Sequence, residues 1–131
     1  RSKVYQRCKY VVEEIQRVQL AVQDLGKGDM QAFGKKMFET HTGLSSLYEV
    51  SCPELDFLVE AVSNNENVLG ARMMGGGFGG CTINIIKKSA VEEITKALTA
   101  NYAKKMHKEL AVYITSIEDG THIVEGTHLV A

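Results

Sequence analysis

The sequence has almost no excess charge of either sign. Fifteen Lys and Arg stand against sixteen Asp and Glu, for a net charge of −1. No basic surplus is available to draw a polyanion, so binding to nucleic acid by charge alone is excluded. Only a local patch that holds a single phosphate is left open. Long apolar runs are also lacking, and nothing is built to span a bilayer, so no membrane partner is expected. Cysteine is scarce: Cys8, Cys52 and Cys81 form an odd, widely spaced set with no CxxC pair. That set argues against a disulfide framework or a zinc site and for a reducing, cytoplasmic compartment. The three thiols are expected to be small buried hydrophobes. Four histidines, His41, His107, His122 and His128, are scattered without metal-ligand spacing. They are assigned structural or surface roles, and no metal site is expected. Position 1 carries no initiator Met, and Arg1-Ser2-Lys3 leads into an amphipathic pattern rather than a signal peptide. A piece of a longer chain is the expectation.

What remains is ordinary globular material. The chain has 131 residues, 44% hydrophobic and 24% charged, which suits one domain that folds without staples. No internal repeat, low-complexity tract or linker interrupts it.

Val4, Cys8, Val11, Ile15, Val18 and Val22 recur four and three apart, the signature of a long helix with one apolar stripe. Gly26 and Gly28 should end it, and Asp29 should cap a second helix carrying Met30, Phe33 and Met37 inward. So short a link predicts an antiparallel hairpin, with the stripe as its intramolecular seam. Ser51-Cys52-Pro53-Glu54 reads as a capping box for a helix bearing Leu55, Leu58, Val59 and Val62. The helix dipole and the box account for Glu54 and Asp56 without chemistry. The period then changes. Residues 68–74 read as a strand, 75–80 as a loop and 81–86 as a second strand. Ser89-Ala90-Val91-Glu92 reads as another capping box, opening a helix with Val91, Ile94, Leu98, Tyr102 and Met106 on one face. Residues 110–117 alternate branched side chains like a strand, and 121–124 read as a short edge strand after the Asp119-Gly120 turn. This order predicts an α+β two-layer sandwich, an antiparallel sheet with helices packed on one face.

The informative segment runs Gly70-Ala71-Arg72-Met73-Met74-Gly75-Gly76-Gly77-Phe78-Gly79-Gly80-Cys81. Five of the twelve glycines lie between 75 and 80. Glycine costs about 0.5–1 kcal/mol more than alanine to order, so such a run makes sense where positive φ or a close approach is required. Inward-turned N–H groups in a loop of this kind form a nest for an anion, phosphate above all. A flexible or tightly packed turn is the competing reading. Gly75, Gly77 and Gly80 formally match GxGxxG, but a dinucleotide site needs a helix next, and strand formers follow. The Gly-Lys-Ser/Thr of a Walker A loop is absent, as are DFG and HRD.

The segment resembles the third motif of the GHMP small-molecule kinases, most closely the galactokinase branch. There the pattern runs Gly-Ala/Ser-Arg-Met-Thr-Gly-Ala-Gly-Phe-Gly-Gly-Cys. Leu47-Tyr48-Glu49-Val50-Ser51-Cys52-Pro53-Glu54-Leu55-Asp56 resembles that branch's signature just upstream. Gly28-Asp29 to Phe33, Met37 and Glu39-Thr40-His41 fit the preceding hairpin. Residues 7–12 resemble the Arg-x-x-His-Val-Val entry, with Tyr10 where His is usual. The likeness spans residues 5–120. It implies the ferredoxin-like C-terminal domain of a kinase that moves the γ-phosphoryl of ATP, with Mg2+, onto the anomeric hydroxyl of galactose. Residues 1–131 would be that domain, with a helical hairpin over 4–45 and an α/β portion over 51–125. The N-terminal domain would be absent, and with it the Gly-Leu-Ser-Ser-Ser loop, the sugar-binding entry motif and the catalytic Asp with its Arg partner. No catalytic residue is then expected in this chain, which alone should be inactive, hold no cofactor tightly, and self-associate through its exposed interdomain face. Gly43-Leu44-Ser45-Ser46 echoes the missing loop by coincidence.

Carried across by resemblance, Gly75, Gly76, Gly77, Phe78, Gly79 and Gly80 form the loop that faces the ATP phosphates. Arg72 supports it, or serves an interdomain ion pair. Met74 stands where Thr is usual and Gly76 where Ala is usual, so backbone rather than side-chain participation is implied. Two other readings stay open: a non-catalytic galactokinase-like sensor or regulator, and a GHMP kinase with another acceptor.

Overall fold

The computed structural model describes residues 2–117 and 119–121. Helix α1 spans Lys3–Lys27. Ser2 caps its start by accepting from the Tyr5 amide, and Gly28 closes it in the left-handed conformation at φ 71°. Helix α2, Met30–Gly43, opens on Asp29, whose carboxylate accepts from the Ala32 amide at 2.9 Å. Both caps are as the sequence predicts.

The seam between the two helices is not. The stripe faces outward: Val4 is 71% exposed, Ile15 58% and Val22 64%. The side of α1 that meets α2 carries Tyr10, Glu14, Arg17 and Asp24, a second row at the same spacing. Glu14 takes the Arg17 guanidinium and the Thr40 hydroxyl, the latter at 2.8 Å. Arg17 also reaches Glu39 at 3.5 Å, and Lys36 pairs with Asp24. Periodicity shows that an apolar face exists; which element meets it depends on complementarity across the contact, and here the polar row of α1 has matched partners on α2.

A single π-helical turn, Leu44–Tyr48, follows α2 and ends at Glu49 in the left-handed region, φ 60°. Helix α3, Pro53–Ser63, has Pro in its first turn, where no N–H is missed. Neither predicted capping box forms. Cys52 holds the N-cap of α3 with no side-chain bond, and the Ser51 hydroxyl donates instead to Asp56. A 3-10 turn at Lys88–Ala90 leads into α4, Val91–Met106, so Ala90 takes the cap position there.

Strands β1, Val68–Met74, and β2, Cys81–Ile86, pair antiparallel from Met74↔Cys81 back to Val68↔Ile86, with an irregularity between Val68 and Gly70. Among the described residues these two strands make the whole sheet. The core lies between the sheet and α3 and α4. Val59, Val62, Val68, Ala71, Ala90 and Ile94 are buried together, with Phe38, Ile86 and Leu98 packed around them. Helix α2 lies directly on β1. A Cβ on Gly34 would collide with the Leu69 carbonyl, and one on Gly70 would meet the Gly34 backbone, so glycine at both positions permits the approach.

The α+β class and the antiparallel pair match expectation. Residues 110–117 do not form a strand; they run irregularly, with Tyr113 86% and Ile114 74% exposed. Branched alternation measures fitness for a pleated surface, but a strand also needs a ladder partner. Of the predicted edge strand 121–124, positions 122–124 lie outside the described residues. The cysteines depart from expectation too. All three are free, Cys8 and Cys81 exposed and Cys52 half-buried. Cys8 belongs to the outward stripe, and Cys81 stands at the mouth of the loop.

Candidate functional site

Residues 75–80 join β1 to β2 as a run of bends at the surface. Gly75, Gly77, Gly79 and Gly80 have φ of 84°, 92°, 137° and 101°. These are angles that side chains resist. Gly76 has no such angle, and a Cβ there would meet open space, so alanine fits. Phe78 sits at φ 60° with its ring 76% exposed, a non-glycine residue held in a sparsely populated conformation at the loop tip.

What holds the loop is Val50. The Phe78 amide donates to the Val50 carbonyl at 2.7 Å. Gly77 lies so close to the same carbonyl that any Cβ would overlap it. Among the described residues, the amides of Gly75, Gly76, Gly77 and Gly79 donate to no acceptor of the chain. The loop is thus tied at one point and keeps a set of free donors.

The strand feeding the loop is tied at a second point. The Met73 amide donates to Nδ1 of His41 at 3.1 Å. A nitrogen that accepts carries no proton, so the His41 proton sits on Nε2, 3.1 Å from Oδ1 of Asp56. Asp56 also accepts from Ser51 at 2.6 Å and from Ser45 at 3.0 Å. His41 is buried at 6% exposure, and burial pulls its pKa below 6.5, against the pull of Asp56 in the other direction. Beside Val50, Glu49 receives Lys3 and Arg7. The hydrogen bond from Lys3, more than the charges around it, holds its carboxylate below the usual range.

Arg72 directs its guanidinium to the Met73 carbonyl at 2.9 Å and forms no ion pair among the described residues. Met74 is 43% exposed at the loop entry, whereas Met37 and Met73 are buried as core filler. Tyr10 is 4% exposed, packed in the space that Gly43 leaves and against the Tyr48 ring at 5.5 Å. Burial, more than the nearby Glu14, pushes its pKa up to about 12. Gly43 thus makes room for a ring rather than turning a phosphate loop.

The loop residues predicted from sequence come together. The sequence assigns His41 a structural or surface role and Ser51 and Asp56 to a helix start, and it gives none of these three, nor Val50, the part of a loop anchor, although the Leu47 to Asp56 stretch and Glu39-Thr40-His41 held the signal. The surface depressions lined by Tyr10, Arg17, Lys35 and Phe38, and by Gln31, Asn64, Asn65 and Leu69, include no loop residue. No group of three or more His, Cys, Asp or Glu that could hold a metal ion occurs among the described residues. No described helix is long and apolar enough to cross a membrane.

Comparison with known proteins matches residues 21–104 to the family model described as GHMP kinases C terminal. The galactokinase of Bos taurus is 41% identical over 123 residues, covering 94% of this chain and 30% of the relative. That of Thermotoga maritima is 43% identical over 114 residues, covering 87% and 33%. The crystal structure of Lactococcus lactis galactokinase complexed with galactose superposes with a TM-score of 0.80 at 32% identity, over 83% of this chain and 28% of that one. The L. major mevalonate kinase in complex with R-mevalonate gives 0.57 at 25% identity, over 76% and 35%. The chain spans about a third of the length of the curated relatives it matches.

Proposed function

Since the chain belongs to the GHMP kinase family as its C-terminal part, we propose that it is the C-terminal domain of a galactokinase, which in the whole protein phosphorylates galactose at the expense of ATP. The observation that carries this reading is the glycine loop: exposed, bent between two strands, with four amides that no group among the described residues uses. The galactokinase branch is favoured over other acceptors by 41–43% identity to galactokinases across most of the chain. The mevalonate kinase likeness is looser.

Phosphoryl transfer asks a protein mainly to position its substrates and to stabilise charge on the transferred group. Amides fixed before the nucleotide arrives need no reorganisation when charge develops, which is the condition for effective stabilisation. We assign this role to the free amides of Gly75, Gly76, Gly77 and Gly79, with Phe78 and Gly80 completing the loop that faces the ATP phosphates. Arg72 supports the strand end rather than touching phosphate, because its guanidinium is engaged with the Met73 carbonyl. Mg2+, when bound, would offset phosphate charge. The described residues offer no ligand set for it, so no step is assigned to a metal held by this chain.

The sugar site and the proton acceptor belong, in this reading, to the remaining two-thirds of the protein, and the isolated chain is inactive. The outward row on α1 is the face we assign to that remainder. Left uncovered, the same row makes the chain self-associate. The cytoplasm, where ATP and reduced thiols coexist, is the compartment that fits.

The test is a coupled assay of the full-length protein with ATP and a panel of sugars. Galactose-dependent ADP release, with galactose 1-phosphate as product, is the expected result. A protein that binds galactose without turnover is a sensor, and one that prefers another acceptor is a different GHMP kinase; either result overturns the reading.

A further inference from the structure

We propose that His41 and Asp56 act as a positioning clamp for the glycine loop, His41 fixing the end of β1 through the Met73 amide while Asp56 ties that histidine to the Val50-Ser51 segment that anchors Phe78. This rests on the reading of the loop as the phosphate-facing wall.

The connections form a closed path. From Met73 the chain runs through Met74 into the loop and reaches Phe78, which is bonded to the Val50 carbonyl. Ser51, the next residue, donates to Asp56 Oδ1 at 2.6 Å. That oxygen lies 3.1 Å from Nε2 of His41, and Nδ1 of the same ring accepts from Met73 at 3.1 Å. The β1 stem of the loop and its tip are therefore referred to one buried imidazole. The ring bridges α2, α3 and β1, three elements that would otherwise set the loop's position independently. Neither His41 nor Asp56 points into the loop, so neither is a catalytic residue. They act by holding its frame, and the strained Phe78 conformation is kept by that frame.

The bond pattern supplies a clean pair of variants. In His41→Asn, the side-chain carbonyl stands at the δ position and can still accept from Met73, but the reach to Asp56 is lost. In His41→Gln, the amide reaches Asp56 and the δ acceptor is lost. Each variant opens the path at one link, whereas a purely structural role predicts lower stability with Phe78 exchange unchanged.

Assayed in the full-length protein, both variants are expected to lower kcat with the KM for galactose unchanged, His41→Gln about tenfold and His41→Asn about threefold, since in the latter the end of β1 is still held. Hydrogen exchange of the Phe78 amide gives a second readout independent of turnover. It is expected to speed up about tenfold in His41→Gln, although its own acceptor is untouched. Wild-type kcat in both variants, or unchanged Phe78 exchange in His41→Gln, overturns the clamp. If wild type turns over no galactose, the kinase reading fails and Phe78 exchange still decides the clamp. Ser51→Ala, a milder break in the same path, serves if the histidine variants do not fold. A faster Phe78 exchange supports the clamp there, and wild-type exchange overturns it.

Discussion

Gly76 and Gly77 are neighbours in the loop and obey different constraints. Gly77 combines φ 92° with a position against the Val50 carbonyl, where a Cβ has no room. Gly76 has neither restriction. A left-handed conformation alone costs a side chain about 1–2 kcal/mol, and the clash adds to it. Gly77→Ala in the full-length protein is therefore expected to cut kcat at least about tenfold, and Gly76→Ala to leave it within about twofold, by steady-state kinetics. Equal effects would mean that loop geometry does not matter. His41 makes a second residue-scale prediction. Its folded pKa lies below 6.5, so in acid the unfolded chain binds the extra proton more readily. The histidine's contribution is then fully present above about pH 7 and is lost as pH falls through 6.5 and below. Urea midpoints should decline more steeply from about pH 7 to 5 in wild type than in His41→Asn, and parallel declines would refute the assignment.

Among the elements, two helical glycines make the contrast. Gly34 lets α2 lie on the β1 backbone, whereas a Cβ on Gly26 in α1 meets nothing. Gly34→Ala should destabilise by about 1–3 kcal/mol or more through overpacking against backbone. Gly26→Ala should stabilise by about 0.5–1 kcal/mol through helix propensity. Denaturant unfolding of the two variants checks both signs. Much of this scale was legible in advance. The bounds of β1, the loop and β2 were readable because glycine and branched residues separate sharply there. The Asp29 cap was readable because its partner amide lies three residues away. Long-range choices were not. The Ser51 hydroxyl had an N-terminal amide and a carboxylate within reach, and it took Asp56. On α1 the valine row and the Tyr10-Glu14-Arg17-Asp24 row share one period, and only the matching groups on α2 decided which turned inward. The strand expected at 110–117 failed for a related reason, since propensity names a conformation without naming a partner. The loop itself could be read from sequence; its anchors could not, because His41 lies 32 residues from the amide it receives.

At the scale of the whole molecule, the described chain leaves one apolar side uncovered. The α1 row from Val4 to Val22 is exposed along its length, and about two-thirds of each curated relative lies outside the matched region. If that remainder covers the row, Ile15→Lys should lower the melting temperature of the full-length protein by several degrees, as loss of about 1–2 kcal/mol of apolar burial requires, even though Ile15 is 58% exposed here. An unchanged melting temperature would leave the row to solvent. The most direct measurement, however, concerns the loop. Amide resonances of residues 75–80 in the full-length protein, followed as a non-hydrolysable ATP analogue is added, should shift at Gly75, Gly76, Gly77 and Gly79, while the Phe78 amide stays protected on Val50. Saturation with the analogue and no movement of those four glycine signals would contradict the account.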